Sequence, residues 1–292
     1  MRLLDYESRI NTGNHKMITE YLMILEIEQF SMRTVSAYRR ILFLFFSEFK
    51  GSISDIKFED VSIWLEKFKL GKAERTVNQA LSALSSFFRF CLTEHYLSKY
   101  PIKKSWFYKI PEAMPKYLDK FEHAKVRITA QKLSNIRDKA IAELFDASGI
   151  RVGELYGLSI HDINLKDRTA FVLGKGKKER LANFTEYCAF LLEQLIKELP
   201  RGNGPLFISQ RKDRLSIRAI QHIISKLGVA SNLVRNLHPH MYRHTFATDL
   251  VNNGADLQVV ADELGHEDLA TAGIYARILN PEVLSVYRRC MD

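Results

Sequence analysis

Apolar residues return every three or four positions from Lys16 to Phe30, at Ile18, Tyr21, Leu22 and Leu25, which predicts an amphipathic helix. Ser31 reads as an N-cap, and Val35, Tyr38, Leu42, Phe45, Phe46 and Phe49 mark the apolar stripe of a second helix over 32–49. A third helix is predicted over 58–68, closed by Gly71. A fourth over 74–95 turns Val77, Leu81, Leu84, Phe87, Phe88 and Cys91 inward. These four make an all-helical domain over 15–105, behind a polar N-terminal arm over 1–14. Arg33, Arg39 and Arg40, with Arg75, Thr76, Asn78 and Arg89, fall largely outside the apolar stripes. Such a face is either simply solvated or set to contact phosphates and base edges in a major groove.

The pattern changes where Pro101, Pro111 and Pro115 are interspersed with lysines from Lys103 to Lys125. This predicts an extended basic linker over 106–128. A helix over 130–147 follows, broken at Gly149, and a new helix starts at Arg151. Residues 168–173 and 179–184 read as two strands joined by the turn GKGKK, Gly174 to Lys178. Helices over 186–198 and 216–227 flank a short strand over 206–209. One helix after His240, another over 257–264 and a short one carrying Tyr275 come next. Pro281 opens a tail, starting at about 280, whose Val283, Leu284, Val286 and Tyr287 form an apolar side. The second domain, 129–292, is therefore mixed α/β with little sheet.

Composition narrows the class. At 292 residues and 46% hydrophobic content the chain has material for two cores and the make-up of an ordinary globular protein. A formal charge of +9, divided almost evenly between residues 1–110 and 111–292, favours a polyanion touched by both domains. Cys91, Cys188 and Cys290 are odd in number and far apart, which argues against a disulfide framework and for a reducing compartment. The opening MRLLDYESRI has no apolar signal core, and the longest apolar run, Ile41 to Phe46, is far too short to span a bilayer. A cytoplasmic protein with no membrane partner is expected.

The chemistry is concentrated in HPHMYRHTFATDLVNNGADLQVVADELGHEDLATAGIY, His238 to Tyr275. It holds His240 and Arg243 as H-x-x-R, then Leu264-Gly265-His266, then Tyr275. Guanidinium binds phosphate oxygens as a planar fork, imidazole moves protons near neutral pH, and a deprotonated phenol is a nucleophile. Each residue alone has a plainer reading: a helix face, a core tyrosine, a glycine that ends a helix. Upstream, Arg151 at a helix start presents a cation beside free backbone donors, which suits an anion. Lys175, Lys177 and Lys178 lie on the hairpin turn, which lacks the Walker A spacing. His238, His240, His244 and His266 match no common zinc spacing, so no metal site is expected.

In their order and spacing, the motifs SGIRVGEL, GKGKKER, HPHMYRHTFAT and LGHEDLATAGIY resemble those of the tyrosine recombinases, the phage integrase family. The likeness is strongest to the simple bacterial Xer-type and transposon-encoded members and covers essentially the whole chain. Arg151 and Lys175 are 24 residues apart, and His266 and Tyr275 nine. The resemblance implies a mainly α fold: an N-terminal helical core-binding (SAM-like) domain and a mixed α/β catalytic domain with a small antiparallel sheet, together a C-shaped clamp on DNA. It implies Arg151, Lys175, His240, Arg243 and His266 as catalytic residues and Tyr275 as nucleophile, forming a 3′-phosphotyrosyl link without ATP, metal or other cofactor. Arg33, Arg39, Arg40, Arg75, Thr76, Asn78, Arg89, Lys177 and Lys178 become candidate DNA contacts. The implied partner is double-stranded DNA with an inverted-repeat core site, recombined through a Holliday junction by a homotetramer; a second recombinase sharing the synapse is left open. Two other functions compete: a catalytically silent DNA-binding accessory protein of the same fold, and a type IB topoisomerase-like nicking and closing enzyme. His238 departs from the family, standing where Thr or Ser is frequent. Tyr242, where Leu is frequent, reads as packing.

Overall fold

The computed structural model describes residues 3–111, 115–174, 179–200 and 202–265. The chain divides into two compact units, 1–112 and 113–292. Among the described residues, no helix is long and apolar enough to cross a membrane.

The first unit is helical: α1 (Leu3–Glu7), α2 (Thr12–Ile27), α3 (Met32–Glu48), α4 (Phe58–Phe68) and α5 (Glu74–Thr93). Ser31 caps α3 as its sequence position predicts, accepting the Thr34 N–H at 3.1 Å. Phe45, Phe46, Phe87 and Phe88 are fully buried where α3 meets α5. Phe45 and Phe46 meet edge to face at 4.9 Å, as do Phe46 and Phe87 at 5.5 Å, the arrangement that ring quadrupoles favour.

Two stretches depart from expectation. The opening residues do not form a free arm: α1 lies against α3, Tyr6 and Ile10 pack on the core, and Glu7 pairs with His15 at 2.9 Å. Asn14 ties the start of α2 to the turn after α3, donating to Gly51 O at 2.9 Å and accepting from Ile53 N at 3.1 Å. At the other end, Trp106 and Phe107 pack on this same core rather than entering an extended linker. Their aromatic surface outweighs the basic, proline-punctuated local signal.

The second unit contains α6 (Lys120–Gln131), α7 (Ile136–Ser148), α8 (Val152–Gly157), the strands β1 (Ile163–Asn164), β2 (Thr169–Leu173) and β3 (Glu179–Asn183), then α9 (Glu186–Glu198), α10 (Ile217–Ala230), α11 (Pro239–Asn252) and α12 (Leu257–Leu264). The expected linker thus turns helical at Lys120. Asp119 starts that helix, accepting from Phe121 N and Glu122 N while Glu122 reaches back to its N–H. The strands pair antiparallel in the order β1-β2-β3, with Ala170 opposite Ala182 and Val172 opposite Arg180 on the face turned inward. The strand expected at 206–209 does not form; Ile208 makes only an isolated bridge to Arg214.

A charged network fastens three of these helices. His123 on α6 donates to Asp146 on α7, and its other ring nitrogen lies 3.4 Å from Asp249 on α11. Arg127 also reaches Asp146, at 3.3 Å. Burial opposes a charged His123, but the bonds and fields of Asp146 and Asp249 outweigh it and raise its pKa to about 9. A histidine pKa raised by folding stabilises fully below its unfolded value of 6.5, and that stabilisation is lost as pH rises through about 9. The difference in thermal midpoint between wild type and His123→Gln should therefore be widest in mildly acidic buffer and close by about pH 10. A gap that does not change with pH would mean that His123 is held neutral.

Candidate active site

The site grows from two glycines that end helices. Gly149 closes α7 with φ +56° and Gly265 closes α12 with φ +62°, left-handed conformations that disfavour any side chain. A Cβ on Gly149 would lie 2.6 Å from the Phe246 ring. One on Gly265 would lie 2.8 Å from Arg180 Cδ. Both turns leave carbonyl oxygens without helical partners, and arginines supply the donors.

Arg243 sits on α11 and is 3% exposed. Its Nη1 donates to Gly149 O at 2.8 Å and its Nη2 to Leu264 O at 2.6 Å. One cation thus serves the C-terminal ends of α7 and α12, where the helix dipoles favour positive charge. Arg151 occupies the N-cap position of α8. Its Nη1 donates to Glu154 Oε1 at 2.6 Å, its backbone N–H to Glu154 Oε2 at 2.9 Å, and its Nη2 to Gly265 O at 3.3 Å. Glu154 is nearly buried. Burial alone would raise its pKa, but Arg180 and Arg151 together hold the carboxyl below the ordinary carboxylate range.

His240 lies on the first turn of α11, with its ring 6.3 Å from that of His244. Partial burial lowers its pKa, and the positive fields of Arg243 and Arg151 lower it further. The imidazole is therefore neutral near pH 7 and able to accept a proton. His244 is pushed down to about 4 by burial and by its neighbours His240, His238 and Arg243. His238 does capping work that a hydroxyl residue often does: its Nδ1 accepts the Met241 N–H at 3.1 Å and caps α11. Tyr242 is buried and stacks on Phe145 at 6.1 Å, and burial drives its phenol pKa far up, so it packs.

The structure thus brings Arg151, His240 and Arg243 together. Lys175, Lys177, Lys178, His266 and Tyr275 lie outside the described residues. Among the described residues, no group of three or more His, Cys, Asp or Glu side chains is placed to hold a metal ion. In the first unit, Arg33, Arg40, Arg75, Thr76 and Asn78 line one groove of about 740 Å³ between α3 and α5; Arg39 and Arg89 are exposed but do not line it. Asn78 is largely committed elsewhere, since its amide donates to Tyr108 O and accepts from Tyr108 N, both at 2.9 Å.

Residues 18–95 match the N-terminal SAM-like domain model of phage integrases, and 116–281 match the phage integrase family model. The chain belongs to the phage integrase family, and it is a tyrosine recombinase. It is 34% identical to the tyrosine recombinase XerC of Thermodesulfovibrio yellowstonii, over 94% of this chain and 96% of that one. It is 32% identical to the XerD of Staphylococcus epidermidis, over 93% and 97%. The XerH recombinase bound to a palindromic difH substrate, in a post-cleavage complex, shares its fold with a TM-score of 0.74 at 22% identity, over 88% of this chain and 80% of that one.

Sequence reading of this recombinase missed Arg180 and Glu154. Arg180 Nη2 donates to Glu154 Oε2 at 2.9 Å and its Nη1 to Glu263 O at 2.7 Å. The signal was present in the strand alternation, which puts Arg180 on the same inward face as Ala182. It was also present in the three-residue spacing of Arg151 and Glu154.

The glycine turns give a stability test. Gly149→Ala should cost about 2–4 kcal/mol in denaturant unfolding, combining left-handed strain with a clash on Phe246. Gly254→Ala, at φ +87° with open space around it, should cost only about 1 kcal/mol. Equal losses would show that Phe246 yields freely.

Proposed function

We propose that this site-specific recombinase cuts and rejoins double-stranded DNA through a 3′-phosphotyrosyl intermediate, with Arg151, Lys175, His240, Arg243, His266 and Tyr275 as its catalytic residues. The observation that carries the reading is geometric: backbone carbonyls at the ends of α7 and α12 fix the guanidinium groups of Arg151 and Arg243, and α11 carries His240 one turn before Arg243.

In this mechanism Arg151 and Arg243 bind the non-bridging oxygens of one phosphodiester and offset the charge that gathers on them as a fifth oxygen approaches. Neutral His240 accepts the Tyr275 proton, and the phenolate oxygen attacks phosphorus. The bond to the 5′-oxygen breaks, and Lys175 supplies the proton that makes it a hydroxyl. His266 donates a hydrogen bond to the phosphate. One phosphoester forms for each one lost, so the step is reversible, and a 5′-hydroxyl from a partner duplex completes strand exchange. Lys177 and Lys178, which follow β2 in the sequence, with Arg33, Arg39, Arg40, Arg75, Thr76 and Arg89 on the first unit, contact the flanking duplex. Two cleavages on each duplex and passage through a Holliday junction call for a homotetramer on paired inverted-repeat core sites, acting in the cytoplasm.

On a nicked suicide duplex, wild type should give a protein–DNA adduct in a denaturing gel. Tyr275→Phe should give none while still retarding the duplex in a native gel; an adduct from this variant would remove Tyr275 as nucleophile. Arg151→Ala should slow single-turnover cleavage by about 100-fold or more and weaken duplex binding far less, because one phosphate contact is a small part of the affinity. Equal losses in both would make Arg151 a binding residue only. The acid limb of the cleavage pH profile should fall below pH 6.5, since His240 must be neutral and its pKa is lowered from that value. A limb above it would exclude His240 as the proton acceptor.

A further inference from the structure

Glu154 holds a single negative charge between two guanidinium groups. Its Oε1 accepts from Arg151 Nη1, and its Oε2 accepts from the Arg151 backbone and from Arg180 Nη2. The carboxylate side chain is 2% exposed, so water screens it little. An isolated pair of Arg151 and Glu154 would be neutral, and a neutral pair is a poor receptor for a phosphate. The second guanidinium returns the cluster to a net charge of +1.

Arg180 joins the Glu154 carboxylate to the end of α12 through its guanidinium. Its side chain is 9% exposed, and its Nη1 is spent on Glu263 O in the last turn of α12. Its Nε is buried with no hydrogen-bond partner among the described residues. An unmatched buried donor costs stability, so stability alone would favour an apolar side chain opposite Val172 on this face of the sheet. The arginine also underlies the turn that meets Arg151, since a Cβ on Gly265 would strike Arg180 Cδ and approach within 3.9 Å of Arg151 Nη1.

We propose that Arg180 is a positioning residue for strand cleavage: by sharing the Glu154 carboxylate, it leaves Arg151 with the positive charge that the scissile phosphate requires. This rests on the proposed role of Arg151 at the phosphate. Arg180→Met keeps most of the volume and removes the charge. Glu154→Gln keeps an oxygen to accept the Arg151 N–H at the start of α8.

The test compares full-length wild type, Arg180→Met, Arg180→Lys and the double variant Arg180→Met/Glu154→Gln. It measures single-turnover cleavage of a nicked duplex, the dissociation constant for an intact duplex, and the thermal midpoint of each. Arg180→Met should cleave about tenfold slower or worse while binding duplex within about threefold of wild type. Arg180→Lys should keep most of the rate. The double variant should cleave faster than Arg180→Met, because removing the carboxylate restores the net charge; a purely structural role predicts further loss. A double variant no faster than Arg180→Met, or wild-type cleavage by Arg180→Met, overturns the inference alone. A wild-type protein that forms no adduct overturns the proposed function and this inference with it.

Discussion

Arg243 must find partners for a planar fork of donors in a place that water barely reaches. It finds them in the last carbonyls of α7 and α12, at 2.8 and 2.6 Å. A buried guanidinium left half-matched costs several kcal/mol, roughly the cost of breaking any buried ion pair or charged hydrogen bond. Both helix ends must therefore stop where they do, and left-handed glycines stop them. Arg151 follows two residues after one of these glycines and donates to the carbonyl of the other. The position of the charged groups is thus a consequence of how helices end.

The surroundings tune this arrangement. The α11 helix carries His240 and Arg243 near its start, and Asp249 further along it reaches the charged His123 of α6. The α7 helix carries Asp146 just ahead of Gly149. The pairing that holds the scaffold thus joins α7, whose last carbonyl Arg243 meets, to α11, which carries Arg243. Opposite effects act on the histidines: carboxylates keep His123 charged, while burial and arginines keep His240 neutral. One residue type serves as a structural cation and as a proton acceptor because its neighbours differ.

Most of the architecture could be read from the chain. Apolar spacing and capping residues such as Ser31 and Gly149 mark helix positions, because those signals are local. Arg151, His240 and Arg243 are marked by the motifs SGIRVGEL and HPHMYRHTFAT, which are local in the chain. What escaped depends on long-range contact. Nothing near Tyr6, Trp106 or Phe107 announces that they join the first core, and the helix at Lys120 was hidden by a proline-rich, lysine-rich context. Arg180 follows a run of lysines in the sequence, and only strand alternation with a long-range contact turns it inward toward a carboxylate 26 residues earlier in the chain. Asn78 looked like a base-reading residue from its helix face, yet its amide is matched to a backbone segment 30 residues away.

The most direct test of the whole account is the identity of the residue that carries the DNA. The wild-type covalent complex would be trapped on a suicide duplex, digested with nuclease and protease, and its nucleotide-bearing peptide sequenced by mass spectrometry. The account predicts a nucleotide joined through its 3′-phosphate to Tyr275. A nucleotide on another side chain, or one joined through a 5′-phosphate, would contradict it.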